Sequence, residues 1–324
     1  MTLPCRRQFL RLVASAAALP TMQRIVRAQT YPARPVRMIV GFPAGNAPDI
    51  VARVISQSLS ERLKQQVIVD NRPGAGSNIG TEVAVKSPPD GYTLLMAVGT
   101  NAINATLYDS LNFNFGRDIA PVASIALTAS VMVIHPSIPA RTVPEFIAYA
   151  KTNPDKISMA SSGIGALTHI SGELFKIMAG ISMLHVPYRT SVFPDLLSGQ
   201  VHVLFSPIPA AVGYIKAGSL RPLAVTSAKR QDTLPDIPAV GDFVTGYEAN
   251  GWYGIVAPRN TPAAIVDKLH SEVNASIADP KVKDRLTELG ATAFAGSSAD
   301  FAKFIAEDID KWSKVIRAAN IKPE

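Results

Sequence analysis

The sequence is short of cysteine and of long apolar runs. Its single cysteine is Cys5, so the rest of the chain has no thiol with which to form a disulfide. After residue 28, no stretch reaches the roughly 18 apolar residues that a membrane-spanning helix needs. We therefore expect the chain beyond residue 28 to be soluble and to be held together by core packing alone.

Motifs of hydrolytic, metal-dependent and dinucleotide-dependent catalysis are also missing. There is no G-x-S-x-G elbow and no H-E-x-x-H pair. The histidines lack metal-ligand spacing and stand at His135, His169, His185, His202 and His270. Gly74, Gly76 and Gly80 are spaced one residue wider than a dinucleotide fingerprint and follow the second predicted strand, not the first. We expect no metal, no cofactor and no enzymatic activity, although catalysis by carboxylates that the fold brings together stays an open alternative.

The first 28 residues contain the three regions of an export signal in the usual order. Arg6 and Arg7 precede residues 8–11, Gln-Phe-Leu-Arg, as in a twin-arginine signal. Residues 12–19 form a short apolar stretch, and residues 26–28 offer a small-residue cleavage site. The pattern predicts a periplasmic protein from which residues 1–28 are removed.

Most of the positive charge of the chain lies in this N-terminal segment. The whole chain carries +7, and residues 1–28 contain five arginines and no acid, so seven minus five leaves +2 for the remainder. A charge this small gives no support for nucleic-acid binding. The 296 residues that remain, 324 less 28, are enough for two domains of ordinary size.

One stretch after the signal predicts a strand, a tight loop and the start of a helix. Residues 38–40 form an apolar run, and residues 41–45 break it with Gly, Pro and Gly. Asn46 is a candidate helix cap, Pro48 suits the first turn, and Asp49 completes a weak capping box. Backbone N–H groups at such a helix start, together with the helix dipole, favour an anion.

The same arrangement recurs twice further along the chain. Residues 157–160 predict a strand that runs into residues 161–169, which are rich in Ser, Gly and Thr. Residues 184–188 predict another strand, followed by a loop at 189–191 and a helix at 194–199. Open α/β sheets bind ligands at the carboxyl ends of their strands, so the three units predict one anion site.

Five short motifs carry a resemblance to a known family. Residues 41–49 are similar to V-x-F-P-x-G-G-x-x-D, with Asn46 in place of the second glycine, and residues 186–190 match V-P-Y-[KR]-G except at Thr190. The motifs N-R-P-G-A-G-x-x-I-G, P-D-G-Y-T-L and L-P-D-[VI]-P-T resemble residues 71–80, 88–97 and 235–240. The chain therefore resembles the periplasmic solute receptors of tripartite tricarboxylate transporters, called Bug or TctC-like proteins.

This resemblance implies a two-domain α/β binding protein of type II, a Venus flytrap. It predicts two mostly parallel sheets that are joined by two crossover strands. The first domain is expected at residues 30–129 plus 254–324, and the second at 130–253. Residues 220–227 look like a crossing strand, and residues 252–258 like the strand that returns to the first domain. Two crossings make a hinge, so we expect ligand to close the cleft.

The resemblance also implies a partner and a ligand class. We expect a monomer that captures a small organic carboxylate and delivers it to membrane transporter subunits made by other genes. A periplasmic sensor that reports the same ligand to a signalling partner is the alternative. The candidate ligand contacts are Phe42, Pro43, Ala44, Gly45, Asn46, Asp49, Ser77, Thr100, Ser161, Ser162, Gly163, Gly165, Ala166, Thr168, His169, Tyr188, Arg189, Thr190 and Ser206.

Several of these residues have a structural interpretation beside the functional one. Asp49 is either a ligand contact or a helix-terminus cap, and the hydroxyls of Ser161, Ser162 and Thr168 are either donors or caps. His169 is more often a packed histidine than a ligand contact. Ser206 stands where many relatives have aspartate, and the loss of this charge predicts a preference for plain anions over amino acids.

Overall fold

The computed structural model describes residues 31–108 and 110–323. The predicted export signal, residues 1–28, lies outside the described residues. Backbone contacts divide the chain into residues 1–33 and residues 34–324, and every element given below belongs to the second unit. Within the described ranges, no helix combines the length and the apolar character needed to cross a membrane.

Strands and helices alternate along most of the chain. The described strands are β1 (Val36–Val40), β2 (Val67–Asn71), β3 (Thr93–Val98), β4 (Ile119–Thr128), β5 (Ser130–Ile134), β6 (Ser158–Ser161), β7 (Leu184–Pro187), β8 (Val203–Pro207), β9 (Arg221–Val225), β10 (Gly251–Pro258) and β11 (Ala291–Ala293). The described α-helices are α1 (Ala47–Leu63), α2 (Asn78–Val85), α3 (Gly99–Leu107), α4 (Phe115–Asp118), α5 (Val143–Thr152), α6 (Leu167–Ala179), α7 (Phe193–Ser198), α8 (Ile208–Lys216), α9 (Ala263–Ala278), α10 (Pro280–Glu288) and α11 (Ser298–Ala318).

The strands form two sheets, each the base of what we call a lobe. The first lobe is built on a six-stranded sheet in the order β11-β4-β10-β3-β1-β2, and the second on a five-stranded sheet in the order β7-β6-β8-β5-β9. The strands of the first sheet come from residues 36–128 and 251–293, and those of the second from residues 130–225. The residue limits of the two domains stay a prediction.

The prediction of mostly parallel sheets is wrong, because both sheets are mixed. In the first, β1 pairs in parallel with β2 and β3, whereas β10 runs antiparallel to both β3 and β4. In the second, β5 runs antiparallel to β8 and β9. These exceptions surround the crossings, where a strand enters from the other lobe and needs no crossover helix to pair.

The chain passes between the lobes at two places. Ala129 alone separates β4 from β5, and β10 begins at Gly251 after the chain has left the second lobe. The predicted return strand at residues 252–258 is confirmed as β10. The predicted crossing strand at residues 220–227 is wrong: β9 is an edge strand of the second sheet, because it pairs with β5 alone.

The C-terminal helix α11 closes the core of the first lobe. The Ser297 hydroxyl caps the start of this helix by accepting a hydrogen bond from Asp300 N–H at 3.0 Å. Trp252 is buried against the ring of Phe301, and its indole N–H donates to buried Asp308 at 2.8 Å. Because α11 also contacts α6, it joins the core of the first lobe to a helix of the second lobe.

Candidate ligand-binding cleft

A cavity of about 410 Å³ lies between the two lobes. The starts of four helices reach it: α1 and α3 from the first lobe, α6 and α8 from the second. Its walls are formed by Phe42, Ala47, Pro48, Val98, Gly99, Thr100, Thr128, Ala129, Leu167, Pro207, Pro209, Ala210, Gly251, Trp252, Tyr253, Glu288, Leu289 and Gly290. The first N–H groups of a helix have no partner within the helix, so donors from both lobes are expected at this cavity. Pro48 and Pro209 have no N–H, and Ile208 N–H donates to Ala129 O at 3.4 Å.

The cavity has apolar walls and few polar side chains. Phe42, a predicted ligand contact, is half-buried and lines it. Thr100, Thr128 and Tyr253 are its hydroxyl-bearing lining residues, and burial raises the pKa of Tyr253 to about 12, so the phenol stays protonated. Glu288 is the one charged residue of the wall, and it pairs with Arg285.

Asp49 holds the loop at residues 41–46, which we call the first loop, in place. Its buried carboxylate accepts hydrogen bonds from Gly45 N–H at 2.8 Å, Arg53 Nε at 2.9 Å and Asn71 Nδ2 at 2.9 Å. Burial by itself would raise the pKa of this carboxyl, but the bonds from Arg53, Gly45 and Asn71 outweigh it and hold the pKa below its usual range. The geometry favours the structural interpretation of Asp49, since its partners belong to the protein.

The predicted capping box at the start of α1 is wrong. Asn46 occupies the cap position, but its side chain makes no capping hydrogen bond. Asp49 accepts Gly45 N–H one residue earlier, because Gly45 has a positive φ of 86° and turns its N–H toward the carboxylate. Pro43, Ala44, Gly45 and Asn46 are all exposed on the loop.

The other two candidates of the first lobe differ in their surroundings. Thr100 is the second residue of α3 and lines the cavity. Ser77 is buried, and its hydroxyl accepts a hydrogen bond from Asn101 Nδ2 at 3.4 Å. A Cβ on Gly41 would lie 2.0 Å from the Ser77 hydroxyl oxygen. Ser77 therefore packs beneath the first loop and does not face the cavity.

In the second lobe, backbone N–H groups of the loop at residues 161–166, which we call the second-lobe loop, donate hydrogen bonds to nearby side chains. Ser162 N–H donates to the Thr168 hydroxyl at 3.0 Å, and Gly163 N–H donates to the Ser161 hydroxyl at 3.2 Å. Gly165 N–H donates to His169 Nδ1 at 3.1 Å. Leu167, directly after Ala166, is the residue of this segment that lines the cavity.

A stacked histidine pair lies behind this loop, with His169 buried and His185 half-buried, and of the two only His169 was predicted. His169 stacks on His185 with ring centroids 3.6 Å apart and an angle of 7° between the planes. His169 Nε2 lies 3.6 Å from Glu173 Oε1, which also pairs with Lys176 at 2.9 Å. The i, i+4 spacing of His169 and Glu173 is visible in the sequence; the stacking partner on β7 is not.

The third predicted segment adjoins the second. Tyr188 N–H donates to Ser161 O at 2.9 Å, and the Tyr188 hydroxyl donates to Asp195 at 2.7 Å. Arg189 and Thr190 are exposed. Ser206 is buried and donates to Pro207 O at 3.1 Å. None of these residues lines the 410 Å³ cavity, so it brings together parts of two of the three predicted segments.

Sequence reasoning missed Thr128, Tyr253 and Glu288. Thr128 and Tyr253 lie beside the two crossings, close to the predicted domain limits at residues 129 and 254. Clefts of two-domain proteins open at such hinges, so hydroxyl residues at the predicted limits were a usable signal. Glu288 is the last residue of α10, a helix that carried no motif, and the sequence offers no indication of its place.

We expect the free energy of unfolding to fall as the pH drops from about 6.5 to about 4. Burial, and then nearby His169 and Lys176, lower the pKa of His185 from its ordinary 6.5 to about 4. Between these values the unfolded chain takes up a proton that the folded chain refuses, so acid favours unfolding. Because His185 is only half-buried, we expect about 1–2 kcal/mol, less than the full shift implies.

Urea unfolding at pH 7, 6, 5 and 4 measures this effect. His185→Gln, which does not titrate, should show a shallower dependence on pH than the unaltered protein over that window. Equal slopes for the two proteins would contradict the assignment.

Two mixed α/β lobes, joined by two crossings around a shared cleft, define a two-domain solute-binding protein of type II. Comparison with protein families agrees: residues 51–321 match the model described as tripartite tricarboxylate transporter family receptor, TctC. The chain belongs to this family of receptors.

Individual relatives match over nearly their whole length. Protein BugT of Bordetella pertussis is 33% identical over 304 residues, 92% of this chain and 93% of BugT. The structure of R. palustris Rpa4515 with adipate is 35% identical, with a TM-score of 0.77 over 91% of this chain and 100% of the other. MatC from Rhodopseudomonas palustris with bound malate is 27% identical, with a TM-score of 0.73 over 88% and 100%.

Proposed function

We propose that this chain is a periplasmic receptor that binds a small organic carboxylate in the cleft between its lobes and delivers it to a tripartite transporter. The observation that carries the proposal is the convergence of four helix starts on one apolar cavity. Relatives that contain adipate and malate support the ligand class. No enzymatic step is part of the proposal.

The binding energy is proposed to come from backbone N–H groups. Among the described residues that line the cavity there is no lysine or arginine, so a carboxylate there depends on the helix starts and on hydroxyls. A hydrogen bond to a charged group contributes about 1.5–3 kcal/mol, and several together reach micromolar affinity after the cost of ordering. The apolar walls suit the carbon chain of the ligand.

Calorimetry with matched ligands tests the ligand class. Adipate and malate are expected to bind, whereas adipamide, which has the length of adipate without its charge, is not. Glutamate and aspartate are expected to bind more weakly, because Glu288, the acidic side chain among the described lining residues, is paired with Arg285 and is not free to hold their ammonium group. Equal binding of adipate and adipamide, or a preference for the amino acids, would contradict the proposal.

A proline substitution tests the role of the backbone. Ala47 is the first residue of α1, where proline fits and removes one N–H without breaking the helix. Ala47→Pro is expected to weaken carboxylate binding about ten-fold to 100-fold, the equivalent of one charged hydrogen bond. Ala47→Ser keeps the N–H and should bind like the unaltered protein. If both variants bind alike, this amide is not a ligand donor.

A further inference from the structure

We propose that His169 is a positioning residue that holds the second-lobe loop in its binding conformation only while its imidazole is neutral, so that acid releases the loop. The inference rests on the proposed function, because it assigns pH regulation to the same cleft. In this proposal His169 does not contact the ligand. Its side chain acts through Gly165, which precedes the start of α6.

The contacts of the His169 ring fix its protonation state. Nδ1 accepts the N–H of Gly165 at 3.1 Å, so it carries no proton in this arrangement. Nε2 lies on the side of Glu173, at 3.6 Å from Oε1. A proton added at Nδ1 removes the acceptor of Gly165 and places two donors face to face. The bond to the loop and the charged imidazolium are therefore incompatible.

His185 makes the pair sensitive to charge. Its ring stacks on His169 at 3.6 Å, and its Nε2 lies 2.7 Å from the Ser161 hydroxyl. A charge on His169 therefore acts directly on His185 and is one of the causes that lower the pKa of His185. The pair contacts both ends of the loop, Ser161 and Gly165, but of these two attachments it is the Gly165 bond that requires a neutral ring, because a protonated His185 is still able to donate from Nε2 to the Ser161 hydroxyl. Among the described residues, the charged groups that act on the pair are Glu173 and Lys176, both on α6.

The loop has little freedom to compensate for a lost bond. Gly165 has a φ of 74°, and a Cβ there would lie 2.2 Å from Leu107 Cδ2 of the first lobe. The backbone of Gly165 is therefore in close contact with α3 across the cleft. When Gly165 N–H loses its acceptor, the loop moves away from α3. Leu167 follows Gly165 by two residues and lines the cavity, so this part of the cavity wall moves with the loop.

Two amide variants of His169 separate positioning from simple packing. An Asn side chain places its oxygen where Nδ1 stands and does not titrate, whereas a Gln side chain places its amide at the position of Nε2. His169→Asn is expected to bind adipate at pH 7.5 as the unaltered protein does, and His169→Gln about ten-fold more weakly. Both lose the ring, so a purely structural role affects both equally.

The pH profile supplies the second measurement. Between pH 7.5 and 5, the affinity of the unaltered protein for adipate should fall further than that of His169→Asn. The protonation of adipate itself affects both proteins alike, so the difference reports the imidazole. His270→Asn, in α9 of the first lobe, is the control and should keep the unaltered profile. Equal profiles for the unaltered protein and His169→Asn, or equal affinities of the Asn and Gln variants, overturn the inference.

Amide hydrogen exchange without ligand makes the test independent of the proposed function. At pH 7.5 the Gly165 amide should exchange about ten-fold faster in His169→Gln than in His169→Asn, because only Asn retains its acceptor. If no carboxylate binds the unaltered protein, the proposed function fails while this comparison still decides on His169. Equal exchange rates overturn the inference even where adipate binds.

Discussion

Replacing Asp49 with alanine is expected to destabilise the protein by about 2–4 kcal/mol and to weaken carboxylate binding about ten-fold or more. The substitution removes the acceptor of Gly45 N–H and of the Asn71 amide, and it leaves Arg53 without its partner. Each hydrogen bond to a charged group contributes about 1.5–3 kcal/mol, and because Gly45 and Arg53 are exposed, water replaces part of what is lost. Since Asn71 also donates to Phe42 O at 3.0 Å, the cavity wall shifts with the loop.

Chemical unfolding and calorimetry on matched variants measure both effects. Glu307→Ala is the control, because its ion pair with Lys303 is exposed and should contribute less than about 0.5 kcal/mol. Asp49→Ala with the stability and affinity of the unaltered protein would show that the network is dispensable.

The same carboxylate predicts an acid effect of known sign. The pKa of Asp49 is lowered in the folded protein from its ordinary 3.8. Its contribution is therefore complete above about pH 4 and is lost as the pH falls through the lower folded value. Asp49→Asn, which has no such charge to lose, should show a smaller decline of stability below pH 4.

Alanine at two helical glycines is expected to have opposite effects on stability. Gly80→Ala should cost about 2–4 kcal/mol, because a Cβ there would lie 2.9 Å from both Arg72 O and Gly41 Cα. Both neighbours are backbone atoms and have no rotamer with which to move away. Gly213→Ala, in α8, meets nothing within 4 Å and should gain about 0.5–1 kcal/mol from helix propensity.

Thermal unfolding of the two variants compares them directly, and adipate binding reports on the loop. Gly80→Ala should also bind more weakly, because the clash pushes Gly41 and the first loop out of place. A Gly80→Ala protein as stable as Gly213→Ala would mean that the three backbone segments do not touch.

The sequence predicted the local units of this fold better than their assembly. Strand, loop and helix start were recognisable at residues 38–49, 157–169 and 184–199, because apolar runs, glycines and helix formers act over short distances. The direction of β10 was not recognisable, because β10 is antiparallel to β3 and β4 only as a result of entering the first sheet from the second lobe. The partners of Asp49 show the same limit: Arg53, one turn away, is visible as a pair, but Asn71 on β2 is not.

The candidate site divides in the same way. Phe42 and Thr100 line the cavity as expected, because each follows directly after a buried strand. Ser77 and Ser206 are buried instead: Ser77 packs against Gly41, and Ser206 lies within β8. The histidine stack requires His169 on α6 to meet His185 on β7, and no local sequence pattern encodes this contact.

The strand order of the first sheet also governs when that lobe is able to assemble during synthesis. β10 lies between β3 and β4, so in a nascent chain that ends before Gly251 nothing joins the ribbon of β1, β2 and β3 to the single strand β4. The second sheet is drawn from one continuous stretch, β5 to β9, and is complete long before. The topology thus places the maturation of the ligand cleft at the end of translation, after its second lobe already exists.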